Sequence, residues 1–184
     1  QLIKELLKHN PGINFDGLGG SKMKLYLKNQ YFSIDDFKSI GIIEIIFSIK
    51  KYLKMISFLS KKIIENNYDL IITIDSPDFN YPLVKKLRKN KFNNSIIQIV
   101  APTVWAWRKS RARKFAKVYD EIFTLFKFEN IFFEKYNLKT TFIGHPVYYI
   151  KNNINNNYNK NYIAFLPGSR KQEVEKLFPY FEIA

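Results

Sequence analysis

The hexapeptide Asp75-Ser76-Pro77-Asp78-Phe79-Asn80 follows the apolar, β-branched run Leu70-Ile71-Ile72-Thr73-Ile74. Pro77 cannot continue a central strand, so the chain turns there. Asp75 then stands where a strand ends, with a second acid, Asp78, three residues on. Ligands of open α/β sheets bind outside the carboxyl ends of the strands, and a carboxylate there is well placed to act as a general base. Asp78 and Asn80 carry side chains that can fix the turn or cap a following helix. A second candidate chemistry lies at Gly168-Ser169-Arg170, between an apolar run and a helix start. Unpaired N–H groups and the helix dipole favour an anion there, and the planar Arg170 guanidinium suits phosphate. Gly-Ser is equally an ordinary turn.

Three further groups have both a chemical and a structural reading. His145 sits between Gly144 and Pro146 at a strand end, as a functional imidazole or a hydrogen-bonding structural one. Trp105 and Trp107 stand beside Arg108, Lys109, Arg111, Arg113 and Lys114. Aromatics next to cations can stack bases and grip phosphates, or form core and a solvated helix face. Gly17, Gly19 and Gly20 allow close backbone approach to a ligand or simply a tight turn. They make neither a dinucleotide fingerprint nor a P-loop.

The elements that must hold these groups read as alternating strands and helices. Strands are predicted at 13–18, 70–74, 95–100, 121–125, 140–143 and 162–166. Helices are predicted around residues 2–8, over much of 33–67, and at 83–89, 108–118 and 130–136, with another opening after Arg170. Such alternation with short turns predicts a doubly wound parallel α/β sheet. Ser33 with Asp36 resembles a capping box. Apolar residues at Ile42, Ile45, Ile46, Ile49, Leu53, Ile56, Leu59 and Ile63 mark one helical face, the core-facing one. Ile43 and Phe47 fall off that stripe beside Lys50, Lys51 and Lys54. This surplus fits either a core helix with a basic edge or a patch entering a membrane surface with its cations on anionic headgroups. Glu44 and the lysines break any apolar span long enough to cross a bilayer.

The chain has 184 residues, no cysteine, two histidines and a net charge of +14. Disulfides, thiolate metal sites and cysteine nucleophiles are excluded, and a multi-histidine metal site is not expected. The positive charge fits nucleic acid, a membrane surface or an anionic substrate, and equally a lysine-biased composition. The Asn-rich stretch within residues 151–161 reads as a linker between a first domain, 1–150, and the beginning of a second, 162–184. The opening and closing residues read as parts of a longer protein.

Taken together, several segments resemble the lipid-A-disaccharide synthase family, inverting glycosyltransferases of lipid A assembly. They are Gly19-Gly20-Ser21-Lys22-Met23, Gly41-Ile42-Ile43-Glu44, Ile74-Asp75-Ser76-Pro77-Asp78-Phe79-Asn80, Ala101-Pro102-Thr103-Val104-Trp105-Ala106-Trp107-Arg108, Phe128-Glu129, Phe142-Ile143-Gly144-His145-Pro146 and Leu166-Pro167-Gly168-Ser169-Arg170 with Glu173. The Asp-x-Pro-Asp-Phe-Asn and Pro-Thr-Val-Trp-Ala-Trp-Arg motifs are the specific ones. Ser21, Ser76, Lys127 and Tyr149 depart from the residues usual in the family.

The resemblance implies a GT-B architecture, two Rossmann-like domains facing across a cleft. It implies UDP-2,3-diacylglucosamine as donor, 2,3-diacylglucosamine 1-phosphate as acceptor, no metal or other cofactor, and residence as a peripheral protein on the cytoplasmic face of the inner membrane. It makes Asp75 the base and Arg170, with Gly168 and Ser169, the group that meets leaving-group charge. Gly19, Gly20, Asp78, Asn80, Trp105, Arg108 and His145 become substrate-binding candidates, and Ile43, Ile46 and Phe47 membrane contacts. This chain alone is expected to show no turnover. The rival readings are another GT-B nucleotide-sugar transferase or epimerase of cell-envelope precursors, and a basic nucleic-acid-binding module built on Trp105, Trp107 and the 108–114 cluster. No nucleic-acid partner is expected, because no binding-module pattern is visible.

Overall fold

A computed structural model describes residues 2–34, 44–149, 163–168 and 171–183, with backbone alone over 44–48. Two compact units are formed, Gln1–Tyr148 and Tyr149–Ala184. The first contains α1 (Leu2–His9), β1 (Asp16–Gly19), α2 (Ser21–Lys24), β2 (Asn29–Ser33), α3 (Glu44–Asn66), β3 (Leu70–Ile74) and α4 (Pro77–Lys89). It continues with β4 (Ser95–Ile99), α5 (Ser110–Phe115), β5 (Glu121–Thr124), α6 (Asn130–Glu134) and β6 (Lys139–Phe142). The second contains α7 (Lys171–Ile183).

The main sheet has four strands in the order β3-β4-β5-β6, every pair parallel. Consecutive parallel strands with helical crossovers make this a Rossmann-like α/β domain, and bring four carboxyl strand ends to one edge. β1 and β2 form a separate parallel pair. β2 has no apolar alternation strong enough to announce it. It exists because β1 needs a partner, and its first residue is held by Asp16, which accepts from the Asn29 backbone and side-chain amides at 2.8 and 3.0 Å.

The core lies between the sheet and its helices. Val84, Leu87, Ile96 and Ile122 are completely buried, with Ile56, Leu59 and Ile63 packed beside them. Each such side chain stabilises the fold by about 1.5–3 kcal/mol. Arg88 fastens the far edge of the sheet, donating to the carbonyls of Val118, Phe92 and Asn94 and to Asp120.

The structure corrects several boundaries. α4 begins at Pro77, not Leu83. Proline suits the first helical position, and the internal Pro82 forfeits only one ladder bond. α5 is shorter than 108–118, because Arg108 sits at φ +53 and cannot be helical. α6 stops at Glu134, and the chain turns at Asn137 with φ +60. Ile49 and Leu53, assigned above to the core stripe, are 53% and 59% exposed. Among the described side chains of α3, Ile56, Leu59 and Ile63, in its C-terminal part, join the buried cluster. The strand expected at 162–166 is not formed over 163–166, where Ile163 and Leu166 are more than 80% exposed. A parallel strand needs a hydrogen-bonded neighbour, and the described part of this unit offers none. The capping residue Asp36 and the 151–161 linker lie outside the described residues.

Candidate active site

Asp75 ends β3 in the left-handed region at φ +50, and Ser76 follows at φ +43. Two consecutive non-glycine residues in this region are rare, and each costs roughly 1–3 kcal/mol unless its surroundings enforce it. Two side-chain amides do so. Asn80, in the first turns of α4, donates to the Asp75 carbonyl at 2.6 Å and lies 3.4 Å from that of Ile74. Gln98, fully buried in β4, lies 3.1, 3.1 and 3.0 Å from the carbonyls of Asp75, Ile99 and Val100 through one amide nitrogen. Val100 is itself left-handed at φ +70. Gln98 therefore pins the corners of two neighbouring strands together. Its amide oxygen accepts from Thr73 Oγ1 at 2.6 Å, which fixes which end donates. The Asp75 carboxylate projects into solvent, with no hydrogen bond or ion pair among the described residues.

A row of aromatic faces crosses the same edge of the sheet. Trp105 meets Phe128 edge-on at 5.7 Å, Phe128 stacks on Phe126 at 5.8 Å, and Phe126 stacks on His145 at 5.8 Å. Trp105, Phe126 and Phe128 each leave more than two fifths of their surface exposed. The turn carrying the two phenylalanines is held by Glu129, whose buried carboxylate accepts from the Leu125 and Phe126 amides at 3.1 and 3.0 Å. Burial pushes the Glu129 carboxyl above its ordinary range, against the effect of those two hydrogen bonds. The His145 Nδ1 accepts from the Val147 amide at 3.2 Å, so the neutral ring carries its proton on Nε2 and offers a donor there.

Beside the first turn of α4, Asp78 pairs with Arg111 and lies 3.7 Å from Arg108. The Arg108 guanidinium in turn rests 4.2 Å from the Trp107 ring centroid. Asp78, Arg108 and Arg111, with Ser110 and Lys114, border a pocket walled by Pro77, Tyr81, Pro82 and Phe115.

The site residues named from the sequence thus separate. Asp75, Asp78, Trp105, Arg108 and His145 gather at the carboxyl edge of the four-stranded sheet. Asn80 reaches that edge as the support of the Asp75 corner. Gly19 and Gly20 open the short α2 instead. A Cβ at Gly19 would stand 2.9 Å from Met23 Cβ, so Met23 fills the space a side chain would need. Gly168, at φ +98, lies in the second unit, with Glu173 Oε2 2.5 Å from where its Cβ would be. Ser169, Arg170 and Ile43 lie outside the described residues, and Ile46 and Phe47 are described as helix backbone only. Sequence reasoning missed Gln98 and Phe126 as parts of the site, and named Arg111 only within the basic 108–114 cluster. The only advance signal was a glutamine inside an otherwise apolar strand.

Comparison with known proteins identifies the family. A family model described as lipid-A-disaccharide synthetase matches residues 1–184. Curated proteins named lipid-A-disaccharide synthase match nearly the whole chain. That of Acinetobacter baylyi is 33% identical over 97% of this chain and 48% of its own length. That of Rickettsia typhi is 38% identical over 97% and 50%, and that of Saccharophagus degradans 34% over 100% and 50%. The chain spans about half the length of the curated relatives it matches.

Proposed function

The chain belongs to the lipid-A-disaccharide synthetase family, and on that premise we propose that it forms the acceptor-side domain, and the first part of the donor-side domain, of a two-domain GT-B glycosyltransferase. The reaction joins UDP-2,3-diacylglucosamine to 2,3-diacylglucosamine 1-phosphate, giving the disaccharide 1-phosphate and UDP. The observation that carries this reading is Asp75, an unpaired carboxylate held on a left-handed corner at a parallel strand end.

In this reading Asp75 takes the proton from the acceptor 6-hydroxyl as its oxygen attacks the anomeric carbon. The bond from that carbon to the UDP oxygen breaks with inversion, and UDP leaves with the electron pair. Arg170 and the backbone N–H groups of Gly168 and Ser169 meet the charge that develops on it. The Trp105–His145 row offers apolar faces to sugar rings and acyl chains. Membrane contact falls to Ile43, Ile46 and Phe47, which precede in sequence the exposed pair Ile49 and Leu53 of α3 with Lys50 and Lys54. No helix among the described residues is long and apolar enough to cross a membrane. In this reading the contact is peripheral, on the inner-membrane face where the acylated substrates lie.

The test is product analysis with the intact protein and both acylated substrates. One UDP released per disaccharide formed is the expected result. UDP release only with a non-acylated acceptor would replace this reading with another nucleotide-sugar transferase.

A further inference from the structure

We infer that the basic pocket beside α4 is a phosphomonoester site, and, resting on the function proposed above, that it receives the 1-phosphate of the acceptor sugar. Arg108, Arg111 and Lys114 converge on it, with Asp78 the one acid on its lining. The lining therefore carries two net positive charges, the complement of a phosphomonoester dianion. Arg111 is mostly buried, with 17% of its side chain exposed, and is held by Asp78. Arg108 is braced from behind by the Trp107 ring. Both planar guanidinium groups are thus oriented before any ligand arrives, which reduces the ordering cost of binding. The Ser110 hydroxyl adds a neutral donor.

The pocket also adjoins the Asp75 corner along the chain, and in this assignment a single sugar spans the two. Its rim begins at Pro77 and Asp78, the second and third residues after Asp75. In a glucosamine 1-phosphate the phosphate and the 6-hydroxymethyl group are borne by C1 and C5, the two carbons flanking the ring oxygen. An acceptor with its phosphate among Arg108, Arg111 and Lys114 can therefore turn its 6-hydroxyl towards Asp75. Phosphate recognition then becomes the device that selects and orients the acceptor. Asp78 holds Arg111 and competes with the ligand for it.

The test is titration calorimetry on the intact protein with glucosamine 1-phosphate, glucosamine and inorganic phosphate. Glucosamine 1-phosphate should bind at least about tenfold more tightly than glucosamine, as expected for charge-assisted hydrogen bonds. Lys114→Gln and Arg108→Gln should each weaken glucosamine 1-phosphate by about tenfold and leave glucosamine unaffected. Asp78→Asn should tighten glucosamine 1-phosphate and inorganic phosphate alike, because the lost repulsion of the dianion and the freed Arg111 outweigh the lost brace. Phosphatidylglycerol vesicles should not compete. Equal affinity for the two sugars, indifference to Lys114→Gln, or competition by the vesicles would each overturn the assignment. If the titrations behave as expected while no disaccharide is formed, the catalytic reading falls and the pocket stands. If disaccharide is formed with the acceptor KM unchanged by Lys114→Gln, the pocket falls and the catalytic reading stands.

Discussion

Asp75 and Ser76 hold backbone conformations that few L-residues adopt, and they hold them at the one position where the proposed chemistry needs a carboxylate. Such strain persists only when neighbours over-determine it. Ser76→Gly should therefore raise unfolding stability by up to about 1 kcal/mol, because glycine enters this region without steric cost. Urea unfolding of the two proteins checks it. Gln98→Leu should act in the opposite sense, costing about 2–4 kcal/mol by stranding buried carbonyls, and should lower kcat more than it raises KM. The acid at the strand end was legible because proline after an apolar run dates the turn to the residue. Gln98 was not, since a polar residue in a strand reads as alternation, and sequence alone does not say that its amide faces a neighbouring strand's corner. Phe126 was hidden in the same way, because an aromatic at a strand end reads as core.

At the scale of elements, the small β1–β2 sheet is tied to the main domain through Tyr68, just before β3. Tyr68 donates to Asp16 at 2.5 Å, accepts from Tyr31 at 2.6 Å, and Asn66 donates to Tyr31 at 3.1 Å. Burial pushes the Asp16 carboxyl up, but hydrogen bonds from Tyr68 and Asn29 outweigh it and hold the carboxyl below its ordinary 3.8. A carboxyl depressed in the folded state contributes stability above its unfolded pKa and loses it as pH falls through the lowered folded one. Wild-type stability should thus decline below about pH 4, and Asp16→Asn should flatten that decline in thermal melts across pH. Tyr68→Phe should cost about 1 kcal/mol at neutral pH. The β1–β2 pair was only half legible, since β2 carries polar residues and is fixed by contacts distant in sequence. α3 was legible as a helix, but its periodicity could not show that the apolar stripe outruns its packing partners. The exposed Ile49 and Leu53 are the consequence. Replacing both with serine should weaken binding of the intact protein to phosphatidylglycerol vesicles several-fold, with the fold unchanged. Unaltered sedimentation with vesicles would remove this face from the proposed membrane contact.

For the whole molecule, a net charge of +14 admits more than one kind of anionic partner. The membrane reading requires vesicle binding to fall steeply between 0.1 and about 0.5 M salt, where charge screening shortens to a few ångströms, and to vanish on uncharged phosphatidylcholine. The family was legible from two motifs because both sit at strand ends, where chemistry restricts residue choice more than packing does. The second unit was less so, since a strand there depends on neighbours that residues 163–166 do not reach among the described residues. The central claim, that Asp75 deprotonates the acceptor hydroxyl, is tested most directly by kcat of Asp75→Asn in the intact protein, alongside its thermal melt. A loss of about 10²- to 10⁴-fold with an unchanged melt is the expected result. A folded variant with near wild-type kcat would contradict it.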